Sequence, residues 1–293
     1  MSTRNNQDRL GGAHDIHQDA PNLPTPQTNT DSDPATRPMS FSTPTEFVDL
    51  PSKGKYYGEG HPLHGCDSIE IRFMTAKEED ILTSKTLIKK GVAIDRLISS
   101  VIVDKRINPE DLLIGDKNAL VVAARITGYG SDYNTRMSCP ACGNTEDHSF
   151  NLDDSDVYTG ADEDETSLSK TDRGTFVVNT PRTKVDVEIR LLNGHDEKMI
   201  TRAEEKRKRH KLPESLATTS LNAFIVSVNG VEDPNYIQSF VENAPAQDAK
   251  YLREAHKIVT PNIDLTFDFF CSACDHEQVL EVPFTADFFW PKL

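Results

Sequence analysis

Two cysteine pairs of the form C-x-x-C carry the clearest chemistry in this sequence. Cys139 and Cys142 make the first pair, Cys271 and Cys274 make the second, and the chain has five cysteines in all. Four thiolates can bind zinc tetrahedrally in a structural site, with Zn–S bonds of about 2.3 Å. The residue types and their spacing therefore predict one structural zinc with all four cysteines as ligands.

Each cysteine pair lies between two segments whose apolar residues predict β-strands. These segments are 133–137 and 150–152 around the first pair, and 263–269 and 279–282 around the second. A C-x-x-C pair at the tip of a β-hairpin is a zinc knuckle, in which a tight turn aims both thiolates at one point. Gly143 follows the first pair, where the turn tends to need a positive φ. Asp275 holds the equivalent position in the second pair and is a poorer but tolerated residue there.

Other interpretations of the cysteines have to be weighed. Two disulfides would require an oxidising compartment, and the polar residues 1–20 have no apolar stretch typical of a signal peptide. A redox pair would precede a helix within a βαβ unit, whereas strands flank both pairs here. Two unconnected reduced pairs stay open, since 128 residues (143–270) separate the pairs and common zinc ribbons have about 15–20. Cys66 lies outside both pairs, and we expect it to be incidental.

The composition limits the classes of function. The chain has 293 residues, 36% of them hydrophobic, and a formal charge of −15. No apolar stretch approaches the roughly 18 residues that a membrane span needs, so no membrane partner is expected. Acidity also disfavours nucleic-acid binding, which depends on clustered Lys and Arg. The one basic run, 206–211, follows a helical pattern, and we expect a solvated helix end in which the cations complement the helix dipole.

The pattern of residues indicates an α+β fold of short helices and β-hairpins, with a split four-cysteine site resembling a zinc ribbon. Residues 1–44 are polar and almost free of large apolar side chains, which predicts a disordered N-terminal extension. Residues 45–152 form an N-terminal α+β region that ends in the first knuckle. An acidic linker, 153–172, holds eight acidic residues and one lysine. Residues 173–293 form a C-terminal α+β region that ends in the second knuckle.

Local patterns predict several helices. Thr75 to Glu78 is a capping box that begins one helix, and a stripe of apolar residues over 94–102 predicts the next. Asp116 is expected to cap a helix over 119–126. Further helices are predicted over 196–211 and 216–228, and after Pro234 and Pro245. The closing aromatic residues 284–290 either fill a core or dock a partner.

The sequence contains no assembled catalytic motif. It has no H-E-x-x-H, no G-x-x-x-x-G-K-[ST] and no G-x-S-x-G. A zinc with four thiolate ligands also leaves no open position for water or substrate. We therefore expect a binding or assembly protein and not an enzyme.

Several stretches resemble a known family: LPSKGKYYGEGHPLHG (50–65), IEIRFMTAKEEDILTSKTLIKKG (69–91), AIDRLISSVIVD (93–104), LLIGDKNALVVAARITGYGSDY (112–133), both cysteine knuckles and ADFFWP (286–291). Over about 47–293 the chain resembles the baseplate hub and hub-assembly proteins of T4-type tailed bacteriophages. The resemblance implies a role in building the tail baseplate, with other phage tail or baseplate proteins as partners.

Two hypotheses of function follow. The first is a hub component of the virion tail, or an assembly factor in the host cytoplasm, that works through protein–protein contacts. The alternative is a zinc-ribbon nucleic-acid-binding protein of the same phage, which the charge of −15 disfavours.

Overall fold

The described residues form two large hydrophobic cores. The segment that forms the second core is inserted between two parts of the chain that form the first. The computed structural model describes residues 43–161, 168–282 and 288–289. Short helices and small antiparallel sheets make up these residues, which confirms the predicted α+β class. The elements that precede the insertion are β1 (Thr45–Asp49), β2 (Ser68–Arg72), α1 (Ala76–Thr83), α2 (Lys85–Lys89), α3 (Ala93–Val101), α4 (Ile114–Tyr129), β3 (Asp132–Ser138) and β4 (Thr145–Asn151).

The insertion carries the second core, after which the chain returns to the first. A 3-10 turn at Leu152–Asp154 leads out of the first core. The elements that follow are β5 (Asp156–Tyr158), β6 (Ser169–Lys170), β7 (Phe176–Asn179), β8 (Asp186–Ile189), α5 (Gly194–Arg209), α6 (Leu216–Phe224), β9 (Ile225–Val228), α7 (Pro234–Asn243) and α8 (Ala246–Val259). The returning elements are β10 (Asn262–Asp264), β11 (Thr266–Phe270) and β12 (Glu277–Glu281).

Helix α4 lies at the centre of the first core. Apolar residues surround most of the helix, and Leu120, Val122 and Ala124 are buried, as expected of a helix covered on several sides. The apolar stripe of α3, with Leu97, Ile98 and Val101, packs in the same core. The sheet formed by β1 and β2 contributes to this core through the inward residues of β2.

A buried carboxylate ties the loop 50–65 to the start of α4. Asp116 accepts hydrogen bonds from the Ser52 amide at 2.9 Å and from the Ser52 hydroxyl at 2.6 Å. The Tyr57 hydroxyl also donates to Asp116, at 2.7 Å, and accepts from the Leu113 amide at 3.1 Å. Burial raises the pKa of Asp116 and of Tyr57 above their ordinary values. Tyr57 therefore stays protonated as a donor, and the buried acceptor is satisfied within the protein.

The second core is a four-stranded antiparallel sheet covered by helices. The strand order is β6-β7-β8-β9, so neighbours in the sheet are also neighbours in sequence. Val178, Val187 and Ile189 are fully buried on the sheet, and they pack with apolar residues of α6, α7 and α8.

The two ends of the insertion meet beside α4. Strands β5 and β10 pair antiparallel, with Val157 opposite Ile263. A side chain at Gly115, in the first turn of α4, would collide with the carbonyl of Pro261 just before β10. Glycine is therefore required at this point, because the backbone that returns from the insertion passes directly over the helix.

Ion pairs also join the elements of the two cores. Lys117 of α4 lies 2.9 Å from Asp95 of α3 and 2.7 Å from Glu197 of α5. Lys198 of α5 lies 2.8 Å from Asp95 and 2.7 Å from Glu110. Although burial acts to raise the pKa of Asp95, the hydrogen bonds from Lys198 and Lys117 lower it below its ordinary value. The charged form is thus the stable one in this network.

Two of the closing aromatic residues belong to the first core. Phe288 and Phe289 are 1% and 4% exposed, so the core role is the correct one for these two residues. The fully buried Arg125 of α4 donates to the carbonyl oxygens of Phe288, Gly130 and Asp132. Trp290 lies outside the described residues.

Two helix predictions are wrong in part. The helix predicted over 216–228 ends at Phe224, and Ile225–Val228 is strand β9, paired with β8. The β-branched residues of this segment fit a sheet, and tertiary pairing decides between the two patterns. Asp116 is not an N-cap, because α4 begins at Ile114 and uses this carboxylate for the loop 50–65.

Each region predicted from the sequence is one continuous stretch of chain, whereas the first core combines residues from both sides of the insertion. Of the segment 153–172, predicted as an acidic linker, the described part contains β5 and β6, both paired with other strands. The region predicted over 173–293 contributes to both cores, since Leu265, Val282 and the two buried phenylalanines lie in the first. The predicted extension 1–44 falls almost entirely outside the described residues. None of the described helices is long and apolar enough to cross a membrane.

We expect the stability of the second core to depend on pH through His256. Its ring stacks on Phe224 with centroids 4.4 Å apart, and no hydrogen bond to its Nε2 is seen among the described residues. Burial lowers the pKa of His256 from 6.5 to about 4. Since the folded pKa lies below the unfolded one, stability is lost as pH falls from 6.5 towards 4. Between pH 7.5 and 5.5 we expect a loss of about 1 kcal/mol from this residue.

Urea unfolding at these two pH values measures the effect. His256→Phe keeps an aromatic ring against Phe224 and should reduce the pH dependence by about 1 kcal/mol. His210→Gln is the matched control, because His210 is exposed. An unchanged pH dependence in His256→Phe would contradict the prediction.

Candidate metal centre

The four predicted cysteines meet at one point, although 128 residues separate the pairs. The first pair lies at the tip of the hairpin β3–β4 and the second at the tip of β11–β12. The sulfurs of Cys139 and Cys274 are 3.7 Å apart, as are those of Cys142 and Cys271. All four sulfurs lie within 4.8 Å of one another. The alternative of two unconnected pairs is therefore wrong.

The two turns have the same backbone geometry. In the first, the Cys139 amide donates to the carbonyl of Asn144 at 2.7 Å and the Gly143 amide donates to that of Cys139 at 2.9 Å. The second repeats this pattern: Cys271 donates to His276 and Asp275 donates to Cys271, both at 3.0 Å. Gly143 has φ +74° and Asp275 has φ +54°. The positive φ expected at both positions is thus confirmed.

Apolar side chains between the hairpins hold the turns together. Phe150 of β4 meets Phe267 of β11 edge to face, with centroids 4.5 Å apart, an arrangement that stabilises aromatic pairs. His148 of β4 lies with its ring centroid 5.1 Å from that of Phe269. Phe269 in turn packs against the buried Cys139 and Cys271. The metal-binding geometry therefore rests on a small apolar layer between two hairpins.

A carboxylate beside the site connects the two turns directly. Glu146 of β4 accepts hydrogen bonds from the amide of Ser272 at 3.2 Å and from its hydroxyl at 2.5 Å. Asn144 donates to the same oxygen at 2.6 Å. Glu146 is not among the site residues predicted from the sequence. Its period-two spacing with His148 and Phe150 places it on the face of β4 that meets β11, and this pattern could have found it.

The thiols differ in exposure and in acidity. Cys139 and Cys271 are buried, whereas Cys142 and Cys274 are exposed. Although burial acts to raise the pKa of Cys139, the N–H groups of Cys142 and Ala141 lower it to about 6. The neighbouring sulfur of Cys142 raises the pKa of Cys274 to about 12. Four adjacent thiolates repel one another, so all four ionise together only when a cation neutralises them.

The donor set fits a tetrahedral metal ion. Zn–S bonds of about 2.3 Å at tetrahedral angles place sulfurs about 3.8 Å apart, and the Cys139–Cys274 and Cys142–Cys271 sulfur distances are both 3.7 Å. Four soft sulfur donors select thiophilic ions such as zinc over calcium or magnesium. The four cysteines could thus hold one metal ion in a closed site. Cys66 lies apart from them and is not in the cluster.

Comparison with known proteins identifies the family. The family model described as T4 bacteriophage base plate protein matches residues 43–290. This range covers most of the chain, including all four cysteines, and the chain belongs to this family. The match confirms the resemblance to T4-type baseplate proteins. Searches of curated proteins and of solved structures find no match.

The left-handed turn of the first knuckle can be tested with two glycines that differ in backbone conformation. A Cβ at Gly143 or at Gly58 would meet no atom within 4 Å, but only Gly143 has a positive φ. Gly143→Ala should lower the free energy of unfolding by about 1–2 kcal/mol. Gly58→Ala should change it by less than about 0.5 kcal/mol. Urea unfolding measures both, and equal effects of the two substitutions would refute the role of φ.

Proposed function

We propose that this protein builds the hub of a T4-type phage baseplate, as a hub component or as an assembly factor, through contacts with other tail proteins. The single observation that carries this proposal is the family match over 43–290. In the proposal the protein acts in the host cytoplasm during assembly, and a hub component would stay in the virion tail. It is not an enzyme, and nucleic acid is not its ligand.

We further propose that the four-cysteine cluster holds a structural zinc. Support comes from the all-sulfur donor set and from sulfur distances that match a tetrahedral site. A zinc bound by four thiolates has no open coordination position, so it could not bind a substrate and would act by stabilising the fold. Its place at the junction of the two hairpins would keep them rigid relative to each other.

Metal analysis tests the zinc. The purified protein should contain about one zinc per chain. Cys142 is exposed, so Cys142→Ser removes a ligand without opening a core cavity. We expect this variant to lose zinc and to unfold about 4 kcal/mol more easily if free zinc exceeds its Kd a thousandfold. Cys66→Ser is the control and should change neither quantity. Full stability of a metal-free wild-type protein would exclude a structural zinc.

Deletion of the gene tests the role in the phage. Infected cells should then contain filled heads but few or no tails, because tail growth begins at a completed baseplate. Electron microscopy of the lysate and mass spectrometry of wild-type virions are the measurements. The protein should be present in the virion if it is a hub component and absent if it is an assembly factor. Normal tails on the deletion phage would refute both roles.

A further inference from the structure

A strongly basic projection stands out on this acidic protein. Residues 206–211 hold five Lys or Arg and one His, and without those five cations the formal charge of −15 would be −20. The run covers the end of α5 and the start of the turn to α6. All of its residues except Arg207 are exposed. We call residues 199–216 the basic projection.

Contacts within the protein account for only part of this charge. Arg209 forms an ion pair with Glu205 at 3.7 Å, and Arg207 donates to the carbonyl of Pro213 at 2.8 Å. Within the described part of the chain, Lys206, Lys208 and Lys211 form no ion pair. Cations at a helix C-terminus are favoured by the helix dipole, but this effect falls off within the last turn. Three lysines are therefore available to a partner.

The projection also carries exposed apolar side chains and a groove. Met199, Leu212 and Leu216 are 57%, 52% and 59% exposed. A cavity of about 330 Å³ lies between the end of α5 and the start of α6. It is lined by Ala203, Lys206, Arg207, His210, Leu212, Ser215 and Thr219. Cations beside an exposed apolar groove suit a ligand that combines negative charge with an apolar anchor.

We propose that the basic projection binds an acidic segment of another tail protein, with an apolar side chain of that segment in the groove at Leu212. The proposal rests on the proposed function and names the surface and the partner chemistry for it. The lysines at 206, 208 and 211 would pair with carboxylates of the segment. Charge complementarity of this kind speeds encounter and selects the partner.

An acidic protein segment fits the projection better than nucleic acid does. The cations occupy six consecutive residues, so a longer phosphate chain would extend over the acidic remainder of the surface. No Phe, Tyr or Trp lines the groove, whereas sites for single strands stack bases on aromatic side chains. A short acidic segment meets the cations without crossing the acidic surface.

Complementation of the deletion phage tests the proposal. The test variant is K206E/K208E/K211E, and the matched control is K85E/K89E/K90E. The control reverses the charge of three exposed lysines, two in α2 and one at its C-cap. The test variant should lower the yield of tails by about tenfold or more, as loss of an interface anchor does. The control should complement like the wild type. Urea unfolding and zinc content verify that both variants fold.

A second variant and a genetic selection sharpen the result. L212S/L216S leaves the charge unchanged and should also lower the yield of tails, because both leucines are exposed. Suppressors of K206E/K208E/K211E should replace Asp or Glu by Lys or Arg in another tail protein. Such suppressors would identify the partner.

Other outcomes overturn the inference. If the deletion phage lacks tails but K206E/K208E/K211E complements fully, the proposed function stands and the inference fails. Normal tails on the deletion phage would refute the proposed function, and the inference with it. DNA or RNA binding in a gel shift at about 150 mM salt, lost in K206E/K208E/K211E, would identify nucleic acid as the occupant instead.

Discussion

The closure of one long segment of chain is the constraint on which this structure depends. The chain leaves the first core after Leu152 and returns at Asn262. Bringing the ends of a loop of this length together costs about 4–5 kcal/mol in chain entropy. Three features act at these ends: the pairing of β5 with β10, the close passage of Pro261 over Gly115, and the four cysteines at the tips of two hairpins. Contacts that hold the two ends of the segment together offset this entropy cost. Both cores benefit, because the ends lie where one core leads into the other.

A metal bound by the four cysteines would join the same two parts of the chain by coordination bonds. The two hairpins already meet through Phe150 and Phe267, and Glu146 connects their turns. The apolar layer therefore brings the four sulfurs within 4.8 Å of one another, and a metal ion would neutralise thiolates that otherwise repel one another. Packing of the hairpins thus brings the sulfurs together for the metal, and a bound metal would in turn stabilise the packed hairpins. This division of work explains how two cysteine pairs so distant in sequence can form one compact site.

Two groups of lysines in this protein differ in their contacts: those at the junction between the cores are in ion pairs, and those in the basic projection are not. The lysines of the junction between the cores, Lys117 and Lys198, are each paired with two carboxylates. The lysines of the basic projection have no such partners among the described residues, and they lie beside exposed leucines. A surface of this kind is suited to a partner of opposite charge. The paired lysines stabilise the fold, and the unpaired ones belong to the proposed interface.

The sequence by itself determined the spacing within each cysteine pair, the local turns and most helices, because these depend on short-range patterns. The spacing in each C-x-x-C pair, the need for a positive φ at Gly143 and the apolar stripe of α3 are all properties of neighbouring residues. Only the tertiary structure decided which distant segments meet. The strand over 225–228 was mistaken for helix because its pairing with β8 lies outside the local pattern. Strand β5 and its pairing with β10 were missed for the same reason, and only packing decided that Phe288 and Phe289 enter the first core. Periodicity along a chain specifies which face of an element is buried, but the partner that buries it is set by packing between residues far apart in sequence.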